Sequence, residues 1–144
     1  MEPRRLLLVE DDPNDVELVK LALKEFRFSD QIDVVSDGEQ ALHYLLGQPG
    51  QAALSVLPRL VLLDLKLPKI SGMQVLQALR ANPRTRHLVI VVMTSSQEEI
   101  DLNSCYDLGI NSYIVKPLDF QQFVEVARQV GCYWMFLNRL PSLP

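Results

Sequence analysis

Short apolar runs alternate with segments of helical periodicity along the chain. Mostly apolar runs at Leu6–Val9, Leu60–Leu63, 88–93 and Ser112–Val115 predict strands. The first three are apolar enough to be buried on both faces of a sheet, as strands of a parallel sheet are. A fifth run, residues 32–36, alternates apolar and polar side chains and predicts a weaker strand at a sheet edge. The pattern therefore indicates five strands, three of them central.

Helix signals fall between these runs. Asp12 is placed to cap a first helix, Pro13 stands at its first position, and an apolar stripe continues to Phe26. The other predicted helices cover about residues 38–46, 72–82, 97–108 and 119–137. Residues 47–58 are rich in glycine, proline and glutamine and predict a loop longer than the usual ~4–6 residues.

Strands that alternate with helices predict right-handed crossovers and a parallel sheet that helices cover on both faces. The fold class is therefore doubly wound α/β. A length of 144 residues fits one domain. We expect one domain over residues 1–144, with a core at about 4–130 and a C-terminal helical extension and tail at 131–144.

Composition narrows the class of protein. The chain has 14 Lys and Arg against 18 Asp and Glu, a formal charge of −4, and 48% of its residues are hydrophobic. That balance is typical of a globular protein and argues against disorder and against nucleic-acid binding. No apolar run approaches the ~18–20 residues of a membrane span, and the N-terminus does not resemble a secretory signal. Cys105 and Cys132 have no metal-binding spacing, so we expect reduced thiols and a cytoplasmic location.

Polar side chains follow four of the predicted strands at their carboxyl ends. Glu10 and Asp11 follow the first strand, Asp64 the third, Thr94 the fourth and Lys116 the fifth. Each has an ordinary explanation when it is taken alone, as a helix cap or a solvated charge. In a doubly wound sheet, however, the carboxyl ends of the strands border the functional crevice. Their joint placement therefore predicts one site.

Three carboxylates in that site would repel one another. At ~4 Å, each like-charged pair costs about 4 kcal/mol at an effective dielectric of 20. Either the pKa values of Glu10, Asp11 and Asp64 rise or a cation binds among them. Oxygen ligands without nearby His or Cys favour Mg²⁺ or Mn²⁺ over zinc. With an ammonium and a hydroxyl opposite, these groups suit phosphoryl transfer to a carboxylate.

The sequence resembles the receiver domain of two-component response regulators over about residues 4–130. Four motifs carry the resemblance: Val9-Glu10-Asp11, the D-x-x-x-P-x-x-x-G segment from Asp64 to Gly72, Thr94-Ser95-Ser96, and Ser112-Tyr113-Ile114-Val115-Lys116-Pro117. The resemblance implies a flavodoxin-like fold with strand order 2-1-3-4-5. Pro13, the Leu-Pro-Lys that follows Asp64 and the aromatic tail further resemble stand-alone receivers paired with phytochrome-type histidine kinases.

The resemblance also implies roles for the site residues. Asp64 is the expected phosphoacceptor, supplied by the phosphohistidine of a sensor histidine kinase, and the resemblance to the subgroup implies a bacteriophytochrome as that kinase. Asp11 would bind Mg²⁺ directly and Glu10 largely through water. The backbone carbonyl of Lys66 would be a further ligand. The expected protein is not an enzyme in the usual sense: it signals by protein contact or phosphorelay.

Further roles concern the switch. The resemblance implies that Lys116 pairs with the phosphoryl group, that Thr94 hydrogen-bonds to it, and that Tyr113 moves inward with Thr94. It also implies a cis bond between Lys116 and Pro117. Two positions depart from the family pattern: Ser71 stands where an acidic residue is frequent, and Lys66 places a cation two residues after Asp64.

Other functions remain open to test. A haloacid-dehalogenase-like phosphatase needs an acid two residues after the nucleophile, where Lys66 stands. A flavodoxin-like carrier of flavin mononucleotide needs a phosphate-cradling loop where the acidic cluster stands, and that cluster would repel phosphate. Nucleotide binding is disfavoured because neither G-x-x-x-x-G-K-(S/T) nor G-x-G-x-x-G is present. A scaffold that works without phosphorylation is the main alternative. The residues expected to have structural roles only are His43, His87, Met73, Met93, Met135, Cys105 and Cys132.

The C-terminal segment 132–137 is apolar on every side. Because the receiver pattern is complete before it, we expect this segment to form part of a homodimer interface. The resemblance implies the surface of helix 4, strand 5 and helix 5 for such a dimer. The alternative is that the segment folds back into a groove of its own domain, with residues 140–144 as a frayed end.

Overall fold

Five parallel strands form one sheet in the structure, a computed structural model that describes residues 5–26, 31–50 and 56–141. The strands are β1 (Leu6–Val9), β2 (Ile32–Val35), β3 (Leu60–Leu63), β4 (Ile90–Thr94) and β5 (Ser112–Val115). Their order is β2-β1-β3-β4-β5, which confirms the predicted fold class and strand order. Strand β4 begins two residues later than predicted and includes Thr94.

Burial follows the predicted division between central and edge strands. Every residue of β1, β3 and β4 is buried, whereas β2 and β5 are partly exposed at the two edges. Strand β1 pairs Leu6 with Ile32 of β2 on one side and with Leu60 of β3 on the other. Continuous apolar runs therefore identified the centre of the sheet correctly.

Within the described residues, four α-helices connect the strands and a fifth follows β5: α1 (Pro13–Leu23), α2 (Gly38–Leu46), α3 (Gly72–Ala81), α4 (Glu99–Asp107) and α5 (Phe120–Cys132). The predicted cap Asp12 is present, since it accepts a hydrogen bond from the Asn14 amide, and Ser71, for which no capping role was predicted, forms a capping box with Gln74. Helix α4 begins two residues later than predicted. Its N-cap, Glu98, makes no side-chain cap.

The helices cover both faces of the sheet. Alternate strand residues point to opposite faces, so Leu6 and Leu8 join one core and Leu7 and Val9 the other. Helices α1 and α5 contribute to the first core, and α2, α3 and α4 contribute to the second. None of the helices within the described ranges is long and apolar enough to cross a membrane.

The C-terminal segment corrects one sequence prediction. Helix α5 ends at Cys132, and a wider π-helical turn, Tyr133–Leu137, follows instead of a continuous α-helix. Met135 in this turn is 0% exposed and belongs to the core shared by α1 and α5. The expectation that the domain cannot bury this segment was therefore wrong for Met135. Tyr133 and Leu137 remain exposed.

Two contacts explain how the turn reaches the core. A Cβ atom on Gly131 would lie 2.2 Å from Leu23 Cδ2, so glycine permits α5 to approach α1 closely. A 3₁₀ turn, Lys24–Phe26, extends α1, and the rings of Phe26 and Phe136 contact each other in a tilted arrangement, 5.5 Å between centroids. The segment thus folds back in part onto its own domain. Of the expected frayed end, residues 142–144 lie outside the described ranges, as do residues 51–55 of the predicted loop.

The residues expected to have structural roles only are divided between the two cores and more exposed positions. Cys105 is a buried free thiol and Cys132 is half-buried. Met93 and Met135 are core residues, and Met73 packs partly buried against the second core. His43 lies within α2, and His87 is exposed before β4.

Candidate functional site

The carboxyl ends of four strands bring the predicted polar side chains together. Glu10 and Asp64 directly follow β1 and β3, and Lys116 directly follows β5. Their backbone amides continue the strand pairing: Asp64 donates to the Val9 carbonyl at 3.1 Å and Lys116 to the Thr94 carbonyl at 2.7 Å. Because the sheet fixes these three backbones, the side chains begin from rigid positions.

The Lys116 ammonium lies at the centre of the cluster. Its Nζ donates to Glu10 Oε1 at 2.6 Å, to Asp64 Oδ2 at 2.7 Å and to Asp15 Oδ2 at 2.8 Å. An ammonium has three donors, so all three are used. The Lys116 side chain is only 12% exposed. Lys116 and Asp64 therefore lie in one site, as the sequence predicted.

Glu10, Asp11 and Asp64 form a group of oxygen donors. One carboxylate oxygen from each lies within 4.8 Å of the others. Glu10 and Asp64 are buried, whereas Asp11 is exposed at the mouth of the site. An all-oxygen set with an open, solvated side suits Mg²⁺ or Mn²⁺, which keep several water ligands. The Lys66 amide donates to Asp64 Oδ1 at 3.2 Å, and the Lys66 side chain is exposed. The expected role of the Lys66 carbonyl as a metal ligand stays a prediction.

Burial and neighbouring charges shift the pKa values of Glu10 and Lys116. Burial raises the pKa of Glu10 to about 7, and the Asp64 charge adds to this rise while the Lys116 ammonium opposes it. Burial by itself would lower the pKa of Lys116, but its hydrogen bonds to Asp15, Asp64 and Glu10 raise it above the ordinary value. The carboxylates thus keep Lys116 charged inside a largely buried site.

Asp15 is a site residue that the sequence did not predict. Its position along the chain shows only an acid in the first turn of α1, where a negative charge interacts favourably with the helix dipole. The structure shows that the N-terminus of α1 lies over the end of β5, so the Asp15 side chain reaches Lys116, which is 101 residues away in the chain. Local spacing carries no signal for such a contact.

Thr94, Ser96 and Tyr113 form a second group beside the cluster. Thr94 is 0% exposed, and its Oγ1 accepts a hydrogen bond from the Ser96 amide at 3.3 Å. The Tyr113 hydroxyl donates to the Ser96 carbonyl at 3.0 Å, and Ser96 Oγ donates to Asp101 Oδ2 of α4 at 2.6 Å. Ser96 therefore joins both expected switch residues to α4. The sequence predicted Thr94 and Tyr113 but gave Ser96 no role of its own.

Gly72 shows why the motif after β3 ends in glycine. A Cβ atom there would lie 2.1 Å from the Asp64 carbonyl oxygen and 2.6 Å from Leu65 Cα. Any side chain would therefore displace the backbone that carries Asp64. The start of α3 packs directly against the backbone that follows β3, and the Gly72 amide donates to the Leu65 carbonyl at 2.9 Å.

The expected cis bond between Lys116 and Pro117 was wrong. The described part of the chain contains no cis peptide bond, so this bond is trans. The trans form is the lower-energy isomer of an X–Pro bond by ~0.5–1 kcal/mol.

Comparisons with known proteins agree with the site. The family model for the response regulator receiver domain matches residues 6–128. The probable methanogenesis regulatory protein FilR2 of Methanothrix harundinacea (strain 6Ac) is 37% identical over 142 residues, which cover 98% of this chain and 90% of FilR2. Response regulator Rcp1 of Synechocystis sp. is 33% identical over 140 residues, which cover 97% of this chain and 95% of Rcp1.

Solved structures of response regulators also resemble this chain. The crystal structure of the phosphorylated cyanobacterial phytochrome response regulator RcpA has a TM-score of 0.90 at 33% identity and covers 98% of this chain and 100% of RcpA. The Mn²⁺-bound form of Rcp1 has a TM-score of 0.84 at 30% identity and covers 97% of this chain and 100% of that structure.

Proposed function

Since the chain belongs to the response regulator receiver domain family, we propose that Asp64 accepts a phosphoryl group from a sensor histidine kinase. The observation that carries the proposal is the contact of Asp64 with Lys116 at 2.7 Å beside the oxygen group of Glu10 and Asp11. An acceptor carboxylate, an ammonium and a cation-binding group within one site are the parts that phosphoryl transfer requires.

The transfer follows from the placement of these groups. A carboxylate oxygen of Asp64 attacks the phosphorus, the phosphorus–nitrogen bond of the kinase phosphohistidine breaks, and the imidazole nitrogen keeps the electron pair. Lys116 and Thr94 then donate to the phosphoryl oxygens. Mg²⁺ or Mn²⁺, held by Glu10, Asp11, Asp64 and the Lys66 carbonyl, would supply positive charge to those oxygens. The same site would take a phosphoryl group from acetyl phosphate and lose it again to water.

The proposal is tested by intact mass. The protein is incubated with acetyl phosphate and Mg²⁺, and the expected product carries one added phosphoryl group. Asp64→Asn should carry none, whereas Asp12→Asn, which alters an exposed neighbouring acid outside the oxygen group, should be labelled like the unaltered protein. Full labelling of Asp64→Asn on another residue would disprove the acceptor assignment, and no labelling of the unaltered protein would favour the phosphorylation-independent scaffold.

The kinase and the compartment are finer parts of the proposal. We propose a phytochrome-type kinase because RcpA is a cyanobacterial phytochrome response regulator and resembles this chain over nearly its whole length. A cytoplasmic location is supported by the two free cysteines, which suit a reducing compartment. Output would pass by protein contact or phosphorelay, without nucleic-acid or membrane contact.

A homodimer is also part of the proposal, as is the treatment of residues 1–144 as a single receiver domain. The surface of α4, β5 and α5 exposes large apolar side chains, and these support its use as an interface: Ile100, Tyr106, Val115, Leu118 and Phe120. Tyr133 and Leu137 of the C-terminal turn would extend that interface.

A further inference from the structure

We propose that Asp15 is a positioning residue that holds the Lys116 ammonium in place while phosphoryl transfer engages the other two partners of that ammonium. The inference rests on the proposed function of Asp64. Asp15 Oδ2 lies 2.8 Å from Lys116 Nζ, and the two side chains are 20% and 12% exposed. This ion pair is therefore largely shielded from water, unlike surface pairs that contribute little.

The three partners of Lys116 differ in what else they do. Glu10 and Asp64 both belong to the oxygen group that fits a divalent cation, and Asp64 is also the proposed acceptor. Asp15 lies outside that group. Of the three partners of Lys116, Asp15 is therefore the one that neither belongs to the cation-binding group nor accepts the phosphoryl group in the proposed reaction.

All three donors of the Lys116 ammonium are engaged by carboxylates. The ammonium gives one hydrogen bond to each of Glu10, Asp15 and Asp64. When Glu10 turns toward a cation and the Asp64 carboxylate becomes an acyl phosphate, two donors are released and can point at the phosphoryl oxygens. The third donor stays hydrogen-bonded to Asp15. Asp15 therefore holds the ammonium at the end of the flexible four-carbon lysine side chain in place.

The anchor itself is rigid. Asp15 is the third residue of α1, a helix that begins at Pro13 and is capped by Asp12, whose Oδ1 accepts from the Asn14 amide at 2.8 Å. A short side chain on a capped helix end varies little in position. Asp15 is therefore suited to hold a longer, mobile partner.

The test measures the initial rate of phosphorylation by acetyl phosphate as a function of Mg²⁺ concentration. Asp15→Asn keeps the shape of the side chain and removes its charge. We expect a roughly tenfold lower rate at saturating Mg²⁺, as for partners that orient a reactive group, with little change in the Mg²⁺ concentration that gives half the rate. Glu17→Gln removes one exposed acid from the same helix and should match the unaltered protein.

A purely electrostatic role would give a different result. In that case Asp15→Asn would weaken Mg²⁺ binding, and saturating Mg²⁺ would restore the full rate, which would overturn the inference. Equal rates for Asp15→Asn and Glu17→Gln would overturn it too. If Asp15→Asn does not fold by circular dichroism, Asp15→Ala serves for the same measurement.

A double-mutant cycle tests the route through Lys116. In a Lys116→Ala background, Asp15→Asn should have no further effect on the rate, because the group that it positions is gone. Independent, multiplying losses would contradict the inference. Failure of the unaltered protein to be phosphorylated would disprove the proposed function as well, whereas a normal rate for Asp15→Asn in a phosphorylatable protein would disprove only the role of Asp15.

Discussion

The Tyr113 hydroxyl donates a hydrogen bond of 3.0 Å to the Ser96 carbonyl and so ties β5 to the segment that follows β4. The Ser96 amide in turn donates to Thr94 Oγ1 at 3.3 Å. Hydrogen bonds to the backbone of Ser96 therefore link the two expected switch residues, Thr94 and Tyr113. Because Ser96 Oγ also donates to Asp101, we expect a movement of Thr94 on phosphorylation to affect α4 as well.

Thr94→Ala should separate phosphorylation from this response. We expect the variant to be labelled on Asp64, because it keeps Lys116 and the oxygen group. In the unaltered protein, acetyl phosphate and Mg²⁺ should change hydrogen–deuterium exchange over residues 95–107, since the phosphoryl group biases two existing arrangements. In Thr94→Ala that change should be absent.

The matched control for this experiment is Ser95→Ala, which alters an exposed hydroxyl next to Thr94. It should respond like the unaltered protein. If Thr94→Ala keeps the full phosphorylation-dependent change in exchange, Thr94 does not couple the site to α4. Loss of the buried Thr94 hydroxyl should also lower the free energy of unfolding by about 1–3 kcal/mol because the Ser96 amide loses its acceptor.

Much of the site could be predicted because parallel strands end at the same edge of a sheet. Glu10, Asp64 and Lys116 each follow an apolar run, so their convergence followed from strand order. Asp15 and Ser96 could not be predicted in this way. Their contacts depend on how α1 and α4 sit over the sheet, which local periodicity does not encode.

The fold was predicted more fully than its C-terminal end. The cap at Asp12 is local and could be predicted from the sequence. The apolar segment after Gly131 had two possible partners, its own domain or a second copy of the chain. The structure shows that Met135 packs into the core of its own domain, and this contact could not be predicted from the sequence.

Removal of divalent cations should abolish phosphorylation. The carboxylates of Glu10, Asp11 and Asp64 lie within 4.8 Å of one another, and a bound cation relieves their repulsion and offsets phosphoryl charge. With excess chelator, acetyl phosphate should leave the intact mass unchanged, and added Mg²⁺ or Mn²⁺ should restore labelling. Asp11→Asn should need a higher Mg²⁺ concentration. Undiminished labelling in excess chelator would contradict the prediction.

A second ion pair, at the opposite end of the sheet, should make stability depend on pH. Arg5 Nη2 donates to Asp33 Oδ1 at 2.6 Å and Arg5 Nε to Asp33 Oδ2 at 2.9 Å, and the Tyr44 hydroxyl also donates to this carboxylate. The hydrogen bonds from Arg5 hold the pKa of Asp33 below its ordinary value. Asp33→Asn should lower the free energy of unfolding at pH 7 by about 1–2 kcal/mol.

The sign of the pH effect follows from that shift. A carboxylate whose pKa is lowered on folding contributes its stability above the unfolded pKa, near 3.8, and loses it as pH falls through the folded value. The difference between Asp33→Asn and the unaltered protein should therefore be constant from pH 7 to about 5 and narrow below about 4. Urea unfolding at several pH values measures it, and a difference that persists unchanged at low pH would count against the ion pair.

Met135→Ala should strongly destabilise the protein. Its side chain is 0% exposed in the core that α1 and α5 share, so truncation leaves a cavity. We expect a loss of about 2–5 kcal/mol in the free energy of unfolding. Leu137→Ala, at 65% exposure in the same turn, should cost less than about 0.5 kcal/mol. Equal losses for the two variants in urea unfolding would show that the turn does not pack as described.

The exposed side of that turn should instead affect self-association. Tyr133 and Leu137 are 48% and 65% exposed, and large apolar groups at the surface favour an interface. Sedimentation at micromolar concentration should show a dimer for the unaltered protein and a shift toward monomer for Tyr133→Ser with Leu137→Ser. This pair leaves Met135 in the core, so stability and Asp64 labelling should persist, whereas truncation after Gly131 would remove Met135 and destabilise the fold as well. A monomer for the unaltered protein at those concentrations would disprove the dimer, and an undiminished dimer in the double variant would place the interface elsewhere.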